Sequence, residues 1–87
     1  MELKILKQHE QGIRFELAGE DHTFCTILVK ALWEQSGMDA AGYMIEHALV
    51  SQPRFTVAAK DPKKALLGAT DTLRGNLKEW RAALKKL

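Results

Sequence analysis

Apolar and polar positions along the chain change period five times, and each change marks an element. The stretch from Leu3 to Gln8 alternates imperfectly around Leu3 and Ile5, whereas Ile13 to Leu17 alternates strictly. The second pattern predicts a strand with Ile13, Phe15 and Leu17 on one face, and Glu10, Gln11 and Gly12 predict a hairpin turn joining it to the first. After the break at Ala18 to Glu20, Asp21 is placed to cap a helix running from about His22 to Ser36, with Gly37 ending it. Asp39 to Val50 carries Ala41, Tyr43, Ile45 and His47 on one parity and predicts a third strand. Arg54 to Lys60 predicts a fourth, with Phe55, Val57 and Ala59 facing inward. Asp61 and Pro62 open a second helix, predicted to reach Leu87, because aspartate caps well and proline at the first helical position has no amide hydrogen to leave unpaired.

The predicted order β-β-α-β-β-α favours an α+β two-layer sandwich: a four-stranded antiparallel sheet with both helices on one face. Lys4, Arg14, Glu16, Arg54, Thr56 and Lys60 are then left on the open face.

Both helices carry more apolar surface than such a sheet covers. On the first, Phe24, Ile27, Leu28, Ala31 and Leu32 form one stripe, and Cys25, Val29 and Trp33 form a second row, widening the apolar arc to roughly 240°. The first stripe is assigned to the sheet and the second row to a partner helix. On the second helix, Leu66, Thr70, Leu73, Leu77, Trp80, Leu84 and Leu87 fall at alternating spacings of four and three, a heptad seam with one polar position. At about 26 residues this helix reaches roughly 39 Å, against roughly 26 Å for a strand of about eight. The first half of the seam is expected to be core, and the second half to overhang and meet another chain. Gly68 and Gly75 interrupt this helix at about 1 kcal/mol each relative to alanine, a cost that a closely approaching backbone would explain.

Composition bounds the rest. At 87 residues with 46% hydrophobic content and two prolines, residues 1–87 are read as one domain, small enough to lean on association for stability. Cys25 is the single cysteine, so no internal disulfide forms, which fits a reducing cytosol. The N-terminal residues mix charges with apolar residues and read neither as a signal peptide nor as a membrane span, so an intracellular, soluble, cytoplasmic protein is expected. A formal charge of +2 is far from the concentrated field of an autonomous nucleic-acid binder. Candidate chemistry is thin. His9 adjoins a turn, His22 stands at a helix mouth, His47 follows Tyr43 and Ile45 along a strand, and no third ligand stands at metal spacing from them. Cys25 lies near a helix N-terminus, where a thiol pKa can fall, but sits on an apolar row. No phosphate-cradling loop, dinucleotide fingerprint or nucleophile elbow is present. No catalytic residue, cofactor or metal is expected.

The segments that organise this reading, Met1 to Lys7, Gly19 to Thr23, Gly42 to His47, Pro53 to Phe55 and Asp61 to Leu66, together resemble subunit L of archaeal DNA-directed RNA polymerase over essentially the whole chain. That family is related to the dimerisation domain of the bacterial alpha subunit. Where it usually reads His-Thr-Leu-Gly-Asn this chain has His22, Thr23, Phe24, Cys25 and Thr26, and where it often has His-Pro-Leu this chain has His47, Ala48 and Leu49. The resemblance implies a non-catalytic assembly subunit that forms a heterodimer with the larger polymerase D subunit. The pair then forms a platform for the zinc-binding subunits N and P and the large catalytic subunits, with no membrane contact and no direct sequence-specific nucleic-acid contact. It also implies a partner interface built from Phe24, Cys25, Ile27, Leu28, Val29, Leu32 and Trp33 on the first helix and Leu73, Leu77, Trp80, Leu84 and Leu87 on the second. Asp21, His22, Thr23 and His47 serve as structural motif residues. In these terms Val29→Asp abolishes pairing with the D subunit and Lys30→Asp barely disturbs it. Two rival classes carry weight: a pterin-dehydratase-like enzyme, which shares the outline but whose clustered histidines are missing here, and a stand-alone homodimeric nucleic-acid binder, which the charge balance and the lack of an aromatic strip disfavour.

Overall fold

The structure is a computed structural model and describes residues 1–46 and 51–87. His47, Ala48 and the end of the predicted third strand lie outside the described residues. The element order is β1 (Glu2–His9), β2 (Gly12–Ala18), α1 (His22–Trp33), β3 (Met38–Met44), β4 (Arg54–Ala59) and α2 (Pro62–Lys85). The strands form one antiparallel sheet in the order β1-β2-β4-β3, so the strictly alternating strands are the central pair. Their register sets Phe15 opposite Phe55 and Ile13 opposite Val57. The two phenylalanine rings stack with centroids 5.0 Å apart.

The imperfect alternation of β1 has a structural cause. Leu3 and Ile5 lie opposite Leu17 and Phe15, then the register shifts between Ile5 and Lys7. Leu6 is the extra residue of this irregularity, which bends the edge strand and returns Lys7 to the open face opposite Arg14. On that open face Arg54 Nε donates to Glu16 Oε1 at 3.3 Å, with Glu46 3.9 Å from the same guanidinium. An exposed pair of this kind contributes about 1 kcal/mol at most.

One face of the sheet carries the core: Ile13, Phe15, Leu17, Phe55, Val57 and Ala59 pack with Cys25, Leu28, Ala31 and Leu32 of α1 and Ala65 and Ala69 of α2. The buried arc of α1 is therefore centred on Cys25, Leu28 and Leu32. This corrects the expected stripe, since Cys25 is fully buried while Ile27 is 46% exposed. On α2 the inner line is Pro62, Ala65 and Ala69, whose small side chains let the helix approach closely. Leu66 and Leu73 of the expected seam pack against the core only at its margin, and Thr70 is exposed.

Asp21 caps α1 through the Phe24 amide at 3.2 Å, and Asp61 caps α2 through the Lys64 amide at 3.1 Å with Pro62 in the first turn. Helix α1 ends earlier than expected. The amides of Glu34 and Gln35 turn back to the carbonyls of Ala31 and Leu32, and Gly37, with φ +75, carries the reversal into β3.

The two glycines of α2 differ. A Cβ at Gly68 would strike Gln35, whose amide donates to the Ala31 carbonyl (3.4 Å) and to Thr72 Oγ1 (3.2 Å), whereas a Cβ at Gly75 meets nothing within 4 Å. The close approach at Gly68 is thus a side chain of the same molecule. Gly75→Ala is expected to stabilise the isolated chain by up to about 1 kcal/mol, and Gly68→Ala to gain little because displacing Gln35 offsets the same propensity gain. Urea unfolding of the two variants measures the difference directly.

Candidate functional site: an unpartnered helical face

Helix α1 packs chiefly on β3 and α2, and α2 on β4, so among the described residues no helix packs closely over β1, which is exposed along its whole length. The roll of α1 is fixed at its first turns. Tyr43 on β3 sends its hydroxyl to His22 Nδ1 at 2.9 Å and to Thr26 Oγ1 at 3.1 Å, while its ring lies against Phe55 with centroids 5.7 Å apart. Holding His22 and Thr26 toward β3 turns Cys25 and Leu28 inward. Trp33 is 52% exposed on one flank of the buried arc and Ile27 lies on the other.

Helix α2 has 24 residues, and only its first half finds support. Every residue from Arg74 to Leu87 is exposed, including Leu77, Trp80 at 63%, Leu84 and Leu87. The overhang expected from helix length is therefore present and contributes to a molecule 45 Å in its longest dimension. An apolar row on a free helix in water is an unfinished core, since burying one such side chain contributes about 1.5–3 kcal/mol.

The implied interface residues divide by position. Ile27, Trp33, Leu77, Trp80, Leu84 and Leu87 present free surface; Phe24, Val29 and Leu73 pack partly against the core; Cys25, Leu28 and Leu32 are enclosed in the chain's own interior. Cys25 and Leu32 have no surface to offer another chain, and Leu28 shows only an edge. Of the motif residues, Asp21 caps, His22 holds Tyr43, Thr23 is exposed, and His47 lies outside the described residues.

Sequence reasoning missed a second free surface. Leu3 and Ile5 of β1, both exposed, face the helix side and form one wall of an apolar groove of about 210 Å³. Phe24 and Leu28 of α1 and Leu66 and Thr70 of α2 form the other wall. The signal was the Leu3/Ile5 alternation, which demands cover that neither helix supplies. Leu67 is also exposed, on the side of α2 away from the seam.

Burial, then the nearby carboxylates of Asp21 and Glu20, raise the Cys25 thiol above its ordinary value, opposite to the lowering that its place near the helix N-terminus allows. Among the described residues no three His, Cys, Asp or Glu side chains converge as a metal site, and no helix is long and apolar enough to cross a membrane.

A two-layer α+β domain with a helical face apolar beyond its own core defines a pairing module. Residues 12–83 match the family described as the RNA polymerase Rpb3/Rpb11 dimerisation domain, and the chain belongs to that family. Its curated relatives are DNA-directed RNA polymerase subunits named Rpo11. The chain is 39% identical to that of Methanothermobacter thermautotrophicus over 87 residues, covering all of both chains. It is 36% identical to that of Thermococcus kodakarensis, covering 98% of this chain and all of the relative. The solved structure of subunit L of DNA-directed RNA polymerase from Thermoplasma acidophilum superimposes with a TM-score of 0.87 at 23% identity, covering 98% of this chain and 86% of that one. The chain thus shares its fold with that subunit L and its sequence likeness with subunits named Rpo11.

Cys25 is expected to resist a thiol-specific reagent at pH 8 in the native chain and to react at once in denaturant. The sign of its linkage follows from the raised value. The folded chain holds the thiol proton more tightly, so this group's contribution to stability is complete below the unfolded value and is lost as pH rises through the folded one. Thiol labelling against denaturant concentration checks the burial, and a denaturation series from pH 7 to 10 checks the sign.

Proposed function

We propose that the chain is the L-type assembly subunit of a DNA-directed RNA polymerase, with no active site of its own, and that residues 1–87 act as one assembly domain. It pairs with the polymerase D subunit through the flanks of α1 and the free half of α2. The pair is the platform on which subunits N and P and the large catalytic subunits are mounted, and the chain works in the cytoplasm. The observation that carries this reading is the unfinished core: the family is one of dimerisation domains, and here α2 runs from Arg74 onward with nothing beneath it. A curated relative that aligns with the chain from end to end carries a polymerase-subunit name, which supports the role. A stable pairing of this kind buries on the order of 2,000 Å² with an apolar centre. In such a pair, Trp33 and Trp80 have the size and exposure of hot-spot residues.

The structure changes which substitution isolates the interface. Val29 packs partly against the core, so Val29→Asp would damage the fold as well as the face. Trp33→Asp and Trp80→Asp start from exposed side chains and leave the core intact. Each is expected to weaken pairing with the D subunit by about a hundredfold, and Lys30→Asp, on the exposed polar side of α1, by less than about threefold. Co-purification of tagged variants with the D and catalytic subunits from a native lysate measures this. Equal recovery of all three would remove the basis for the reading.

A further inference from the structure

The groove beside β1 and the free end of α2 are complementary halves carried by one chain. The groove offers Leu3 and Ile5 on one wall and Phe24, Leu28, Leu66 and Thr70 on the other, with none of the described residues seated between them. The free end offers Trp80 and Leu84 with nothing beneath them. They do not meet within one molecule: α2 is unbroken from Pro62 to Lys85, its first half is a wall of the groove, and its second half projects away from that wall.

Charge is divided in the same way. Residues 74–87 carry five of the thirteen Lys and Arg, Arg74, Lys78, Arg81, Lys85 and Lys86, but only Glu79 of the eleven acids. The rest of the chain is left with eight bases and ten acids. Two of those acids stand at the end of the groove where Met1, Leu17 and Phe24 lie: Glu20 and Asp21 are on the turn into α1, where Asp21 caps at the Phe24 amide. An apolar row flanked by bases therefore matches an apolar groove flanked by acids.

We propose that the free chain pairs with a second copy of itself by reciprocal exchange. Each α2 end lays Trp80 and Leu84 into the other chain's groove, with Arg81, Lys85 and Lys86 near the other chain's Glu20 and Asp21. A two-fold arrangement satisfies both halves on both chains and closes, so it stops at a dimer. The inference rests on the reading of α2 as a pairing surface but not on the identity of its polymerase partner. It adds that self-pairing occupies the surface the D subunit requires, so the free chain is held in a form that the heterodimer partner must displace.

Sedimentation of the full chain purified alone tests this. The wild type is expected to be a dimer at tens of micromolar in low salt, weakening as salt rises. Ile5→Glu in the groove and Trp80→Glu on the helix end are each expected to raise the dissociation constant at least about tenfold. Both start from exposed side chains, and circular dichroism verifies their fold; Leu3→Glu serves where Ile5→Glu does not fold. Mixing the groove variant with the helix variant is expected to regain part of the dimer, because one intact end and one intact groove then meet. A wild type that stays monomeric up to about 1 mM, a dimer untouched by Ile5→Glu and Leu3→Glu, or a mixture no more associated than its components overturns the proposal. A monomeric chain that still co-purifies with the D and catalytic subunits would remove self-pairing and leave the assembly role standing; a dimer that never recovers polymerase subunits would do the reverse.

Discussion

A helix of 24 residues laid across strands of six to eight cannot be supported along its length, and the molecule is organised around that mismatch. Helix α2 rises about 36 Å, while β4 beneath it spans about 20 Å. Its first half settles onto the sheet through Pro62, Ala65 and Ala69 and completes the core; its second half continues the same apolar row into solvent. Gly68 and Gly75 do not break it, and the caps at Asp61 and Lys86 stabilise the full length. The exposed apolar end is therefore a product of where the helix starts and stops.

The second constraint is the seat of α1. Asp21 fixes where the helix begins, and Tyr43 fixes how it is rolled by holding His22 and Thr26 against the β3 edge. That roll encloses Cys25, Leu28 and Leu32 and leaves Trp33 and Ile27 on opposite flanks. With α1 seated toward β3 and α2 toward β4, the other edge of the sheet has no cover, which opens the groove beside Leu3 and Ile5. Each free surface is thus the counterpart of a well-packed one, and the membership of the chain in a family of polymerase dimerisation domains gives those surfaces a use.

Much of this architecture is legible in the sequence. Strict alternation from Ile13 to Leu17 and from Phe55 to Ala59 locates the central strands, because a half-buried strand imposes a period of two. Aspartate before His22 and before Pro62 locates both helix starts, because a cap is a local interaction. What resists reading depends on distant neighbours. The apolar arc of α1 is too wide for its pattern alone to choose a roll, and the residue that decides it, Tyr43, lies on another element. The alanine line of α2 is hidden by the larger leucines beside it, although Ala65 and Ala69 bury best where backbone and sheet come close. Cys25 is misplaced for the first reason, and the groove is missed because covering a strand requires knowing where the helices stop.

Residues 74–85 of α2 should be held by a partner, and the rest of the fold by itself. Amide hydrogen exchange, followed residue by residue in the dilute free chain and in its heterodimer with the D subunit, separates these two parts. Amides in the second half of α2 are expected to exchange quickly in the free chain and to slow by about a hundredfold or more in the heterodimer, while those of β2 and β4 are protected in both. Equal protection of that segment in the two states would contradict a partner-held helix end.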